Sequence, residues 1–150
     1  LLSSPGTPVA SGMVGLRSQD LEARERGNDV RAARVLVVED DALSRFGVRD
    51  MLERDFEVVE AANGKEALAR LGEQAVDVVV TDVMMPEMDG VELTRAIRAR
   101  GRTKVIWYTA YDREELRREA DALAVDAYLL KPLDLDALYR AVAALAEVTP

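Results

Sequence analysis

From Arg34 onward, short apolar runs alternate with longer amphipathic stretches. The runs occupy residues 35–38, 56–59, 76–80, 105–108 and 127–130. They are rich in β-branched residues, and three are nearly continuous in apolar side chains. That pattern predicts strands covered on both faces. Between and after them, residues 42–54, 65–72, 91–100, 113–124 and 134–147 read as helices. In the last of these, Leu135, Leu138, Val142 and Leu145 fall on one face. Asn63-Gly64, Asp89-Gly90 and Gly101 supply turn signals between the elements. Five βα units predict an α/β fold with a doubly wound parallel sheet, because right-handed crossovers put helices on both faces.

Residues 1–33 break this rhythm. They hold four Gly, two Pro and four Ser with no sustained periodicity. They read as a flexible lead-in, with a polar stretch over 18–34 that can be partly helical around Gly27. Leu1-Leu2 is not the start of a signal peptide, since a basic beginning and a long apolar run are both missing. A chain that begins with Leu is a fragment or a misassigned start, with Met13 as the alternative. Residues 34–147 then form one domain and 148–150 a tail.

Composition narrows the chemistry. With 150 residues and 49% hydrophobic content the chain can bury one core. A net charge of −8 argues against nucleic acid as a direct partner. There is no cysteine, which removes disulfides, iron–sulfur clusters and thiol catalysis, and no histidine, which removes His triads and His metal ligation. No stretch reaches the ~20 apolar residues of a membrane span. The expectation is a cytoplasmic protein without a membrane segment.

In an open parallel sheet, ligands bind beyond the carboxyl ends of the strands. After the first run come Glu39, Asp40 and Asp41. Thr81 and Asp82 follow the third, Thr109 the fourth, and Lys131-Pro132 the fifth. Taken singly, each reads as a helix cap, a turn residue or a solvated charge. Together, four strand ends supply parts of one site. Crowded carboxylates repel one another, and a hard divalent cation with oxygen ligands relieves that cost, so Mg2+ fits. Without His or Cys, zinc and copper fit poorly. A carboxylate beside such a cation and a lysine is set up to attack a phosphoryl group.

The blocks VLVVEDD (35–41), DVVVTDVMMPEMDG (77–90), VIWYTA (105–110) and YLLKP (128–132) resemble, in order and spacing, those of the bacterial response-regulator receiver domain. The resemblance implies a flavodoxin-like (βα)5 sheet of strand order 2-1-3-4-5. It implies that Asp82 is the phosphoacceptor. Asp40 would be a direct Mg2+ ligand, Glu39 would act through a metal-bound water, and the Met84 backbone carbonyl would add a further ligand. Thr109 would hydrogen-bond a phosphoryl oxygen, and Lys131 would pair with that group or with Asp82. Tyr128 would be an aromatic switch moving with Thr109. A cis Lys131–Pro132 bond is also implied. Asp41 is left as a helix-start residue.

The implied partners are a histidine kinase or histidine phosphotransfer protein as donor. A downstream protein or an attached domain would use residues 113–147, and a homodimer is a further expectation without an assigned surface. Ser44, Phe46 and Gly47 depart from the usual pattern. Gly47 interrupts the first helix at a cost of roughly 1 kcal/mol. Together with Ser44 and Phe46 it puts the usual donor-docking contacts of that helix in doubt. Met84 and Tyr111, two residues past Asp82 and Thr109, cannot orient a hydrolytic water, which predicts a long-lived phosphoryl group. Rival readings are a Mg2+-dependent aspartyl-phosphate phosphatase, a receiver excised from a hybrid histidine kinase, and a degenerate interaction module. The phosphatase would want an acid two residues after the nucleophile, where Met84 stands.

Overall fold

A computed structural model describes residues 32–132 and 135–147. The lead-in expected over 1–33, apart from Ala32 and Ala33, and the tail 148–150 lie outside the described residues. The elements are β1 (Arg34–Val38), α1 (Ala42–Leu52), β2 (Glu57–Ala61), α2 (Gly64–Glu73), β3 (Val78–Thr81), α3 (Gly90–Arg100), β4 (Lys104–Thr109), α4 (Glu114–Ala122), β5 (Ala127–Leu130) and α5 (Leu135–Glu147). All strand pairs are parallel and the sheet order is β2-β1-β3-β4-β5, as the resemblance implied. The chain leaves β1 toward β2 and returns to the other side of β1 as β3. That reversal opens a crevice at the carboxyl ends of β1 and β3.

Strand alternation divides the interior into two cores. Leu36, Val38, Val79, Val105 and Trp107 face one side and meet Ala67 of α2, Leu93 and Ile97 of α3, and Ala120 of α4. Val35, Val37, Val78, Val80 and Ile106 face the other, against Val48 and Leu52 of α1 and Leu138, Val142 and Ala146 of α5. Continuous apolar runs follow because both faces of the central strands are covered.

Two aspartates staple the opposite edge. Asp77, just before β3, accepts the Arg34 N–H at 2.7 Å, and Asp126, just before β5, accepts the Val105 N–H at 2.8 Å. Each joins neighbouring strands where the ladder begins, satisfying an amide that would otherwise be orphaned.

The Asn-Gly and Asp-Gly pairs are helix starts rather than free turns. Asn63 accepts the Glu66 N–H, and Asp89 forms a reciprocal capping box with Glu92. The glycines that follow sit against the segment after β3. A Cβ on Gly90 would lie 2.3 Å from the Asp82 carbonyl oxygen, and one on Gly64 2.6 Å from Met88. Glycine is required there by close approach.

Candidate functional site

The site forms where β1, β3, β4 and β5 end. β1 stops at Val38, and the chain turns through Glu39 and Asp40 to Asp41, which caps α1 by accepting the Ser44 N–H at 2.8 Å. This is the helix-start role expected for Asp41. Thr81 is the last residue of β3 rather than a loop residue, and its hydroxyl donates to the Asp82 carbonyl at 2.7 Å. Thr109 likewise closes β4 and is fully buried.

Glu39, Asp40 and Asp82 each offer a carboxylate oxygen within 4.8 Å of the others. Lys131 ties two of them together. Its Nζ donates to Glu39 Oε1 at 2.5 Å and to Asp82 Oδ2 at 3.2 Å. The other Asp82 oxygen accepts the Val83 N–H at 2.6 Å and the Met84 N–H at 3.4 Å. The Lys131–Pro132 peptide bond is cis.

Burial raises the Glu39 carboxyl above its usual range, although Lys131 and the Asp41 N–H pull the other way. Burial would lower the Lys131 ammonium, but the Glu39 and Asp82 carboxylates outweigh it and hold it above its usual value. Three carboxylates against one ammonium leave an excess of negative charge in a half-buried crevice. The donor set is all oxygen, which suits a hard cation such as Mg2+ and no soft metal.

Thr109 joins the same edge through Tyr111, whose N–H donates to the Thr109 hydroxyl at 3.3 Å. Tyr128 is half-buried on β5. Its hydroxyl donates to the Tyr111 carbonyl at 2.5 Å, its ring leans on Trp107 with centroids 5.9 Å apart, and Arg117 covers it at 4.6 Å. Met84 and Tyr111 are both exposed, with Arg113 stacked 5.1 Å from the Tyr111 ring. Glu39, Asp40, Asp82 and Lys131 are therefore brought together directly, while Thr109 and Tyr128 meet through Tyr111.

A response regulator receiver domain model matches residues 35–143. The chain belongs to the response regulator receiver family. This receiver is 39% identical over 100 residues to the transcriptional regulatory protein ResD of Bacillus subtilis (strain 168), across 66% of this chain and 42% of that one. It is 41% identical over 119 residues to the sensor kinase CckA of Brucella abortus (strain 2308), across 76% of this chain and 13% of that one. It thus spans less than half the length of both relatives. In structure it is similar to the receiver domain of the Francisella response regulator 1452, at 33% identity and a TM-score of 0.74, covering 79% of this chain and 99% of that one.

Sequence reasoning did not find the basic residues around the site. Arg45 and Arg49 of α1 both reach Glu60 of β2. At the opposite edge of the sheet, Arg98 of α3 donates to the carbonyls of Thr103, Leu123 and Ala124. The available signal was the four-residue spacing of Arg45 and Arg49, which puts them on one helix face. Gly47 lines a cavity of about 490 Å³ with Ser44, Tyr108 and Lys131, and Phe46 beside it is exposed. Among the described residues no helix is long and apolar enough to cross a membrane.

Proposed function

We propose that this receiver accepts a phosphoryl group on Asp82 from a partner phosphohistidine, held by a histidine kinase or histidine phosphotransfer protein. The observation that carries the reading is the meeting of Glu39, Asp40, Asp82 and Lys131 in one crevice. An Asp82 carboxylate oxygen attacks phosphorus, the bond to the imidazole nitrogen breaks, and that nitrogen leaves with the electron pair. Asp40, Asp82 and the Met84 carbonyl would hold Mg2+, with Glu39 acting through water, and the ion would supply charge neutralisation at the phosphoryl oxygens. Lys131 is already paired with Asp82 and turns its ammonium to the new phosphate. A hydroxyl that accepts one hydrogen bond can donate another, so Thr109 contributes its O–H to a phosphoryl oxygen.

The response then passes along the Thr109–Tyr111–Tyr128 chain of contacts to residues 113–147. These present a surface to a downstream protein, an attached domain or a second copy, in the cytoplasm. Turnover of external phosphate esters finds no support, because Met84 offers no acid or base two residues past Asp82. The test is incubation with a small-molecule phosphodonor and Mg2+, followed by intact-mass measurement. Wild type gains a single phosphoryl group and Asp82→Asn gains none. Equal labelling of the variant would overturn the assignment.

A further inference from the structure

Arg45, in the first turns of α1, reaches back over the end of β1. Its Nη1 donates to the Glu39 carbonyl at 2.6 Å, and its Nε donates to Glu60 Oε1 at 3.1 Å. The other Glu60 oxygen accepts Arg49 Nη1 at 2.9 Å, so the anchor is itself held. The Glu39 N–H donates to the Ala61 carbonyl at 3.1 Å. Residue 39 is therefore gripped at both its amide and its carbonyl, from the β2 side.

The Glu39 carbonyl belongs to the peptide unit that carries the Asp40 nitrogen. A peptide unit is planar, so fixing that carbonyl fixes the approach of the chain to the Asp40 Cα. Within the acidic cluster this matters most for Asp40. Glu39 is held by Lys131 and the Asp41 N–H, and Asp82 by Lys131 and the Val83 N–H. Asp40 is the exposed member, and its backbone sets its place.

We infer that Arg45, anchored by Glu60, is a positioning residue that orients the Glu39–Asp40 peptide and so presets the cation site. This rests on the proposed binding of Mg2+ by the three carboxylates. A role through charge alone has the opposite sign, because a nearby guanidinium repels a cation and its removal tightens binding. Geometry gives a second signature. Mg2+ demands near-ideal octahedral ligands, whereas Ca2+ accepts irregular ones. Loss of orientation therefore weakens Mg2+ more than Ca2+, while a change in field shifts both alike.

The test is calorimetric titration of the full chain with Mg2+ and separately with Ca2+, for wild type, Arg45→Lys, Arg45→Met and Glu60→Gln, with thermal melts alongside. Both Arg45 variants are expected to bind Mg2+ about fivefold more weakly, the scale of one net hydrogen bond, with a reduced Mg2+ to Ca2+ preference. Glu60→Gln, which leaves the Arg45 charge in place, should shift both readings the same way by less, and it decides the matter if the Arg45 variants fail to melt cooperatively. Mg2+ affinity at or above the wild-type level in the variants overturns the inference, as does equal weakening toward both ions. A wild type that takes up no Mg2+ overturns the proposed function itself and this inference with it.

Discussion

The two sides of Asp82 are built differently. Toward α3, the helix opens on the Asp89–Glu92 capping box and buries Gly90, Leu93, Thr94 and Ile97. Thr94 is locked in the core, donating to the Gly90 carbonyl at 2.7 Å and accepting the Trp107 indole N–H at 2.9 Å. Toward α4, the helix begins at Arg113 with no side-chain cap bond and buries Ala120 from its nine residues. None of the four residues of β5 is fully buried. The far half of α4 is tied to α3, where Arg95 pairs with Glu119 and Arg98 takes the carbonyls of Leu123 and Ala124, while nearer its start Arg117 pairs with Asp112 and covers Tyr128. Asp82 thus stands beside a stiff wall, and the start of α4, without a side-chain cap, is the part expected to yield at lower cost. Under the proposed phosphorylation of Asp82, this difference between the walls predicts that the start of α4 moves and α3 does not.

The contrast is broken most directly at Thr94. Thr94→Val leaves the buried Trp107 N–H without its acceptor and is expected to cost about 2 kcal/mol in chemical denaturation. A loss under half of that would mean the α3 wall does not depend on this bond. Met84 and Tyr111, two residues past Asp82 and Thr109, are both exposed. Met84→Asn combined with Tyr111→Glu should speed loss of the phosphoryl group several-fold after donor removal, because both new side chains can orient a water. Decay no faster than wild type would discard the shielding role.

Capping sharpens the comparison further. Asp89→Ala is expected to destabilise by about 1 kcal/mol, whereas Arg113→Ala should stay within about 0.5 kcal/mol of wild type. Equal losses would erase the distinction between the helix starts. Acid adds a smaller effect at the β2–α1 brace, outside both walls. Burial alone would raise the Glu60 carboxyl, but Arg49 and Arg45 outweigh it and hold it below the usual carboxylate range. A carboxyl lowered in the folded state contributes stability above its unfolded value, and that stability is lost as pH falls through the folded one. Glu60→Gln should therefore flatten the fall in stability below about pH 4.5. Parallel pH profiles would show that the pairing adds nothing.

Much of this was legible in the residue order. Continuous apolar runs gave the central strands, and the residues after them gave Glu39, Asp40, Asp82 and Lys131, because a parallel sheet brings its carboxyl ends to one edge. Boundaries shifted where local chemistry competed with hydrophobic pattern. Phe56 reads as strand but precedes β2, and Thr81 reads as following the third run yet is the last residue of β3. Gly64 and Gly90 read as turns because their requirement is close approach to Met88 and Asp82, which a linear pattern does not carry. Arg45 and Glu60 were invisible for the same reason. Each is an ordinary surface charge in sequence, and only the adjacency of β1 and β2 makes them a brace.

Amide hydrogen exchange, compared between unphosphorylated and phosphorylated protein, tests the central claim most directly. Protection should change across 110–117 and at β5, with little change over 118–126, where Arg98 holds the chain, and little in α3. Full phosphorylation with no change at 110–117, or with equal change in α3, would contradict an account in which a stiff acceptor wall drives a compliant α4.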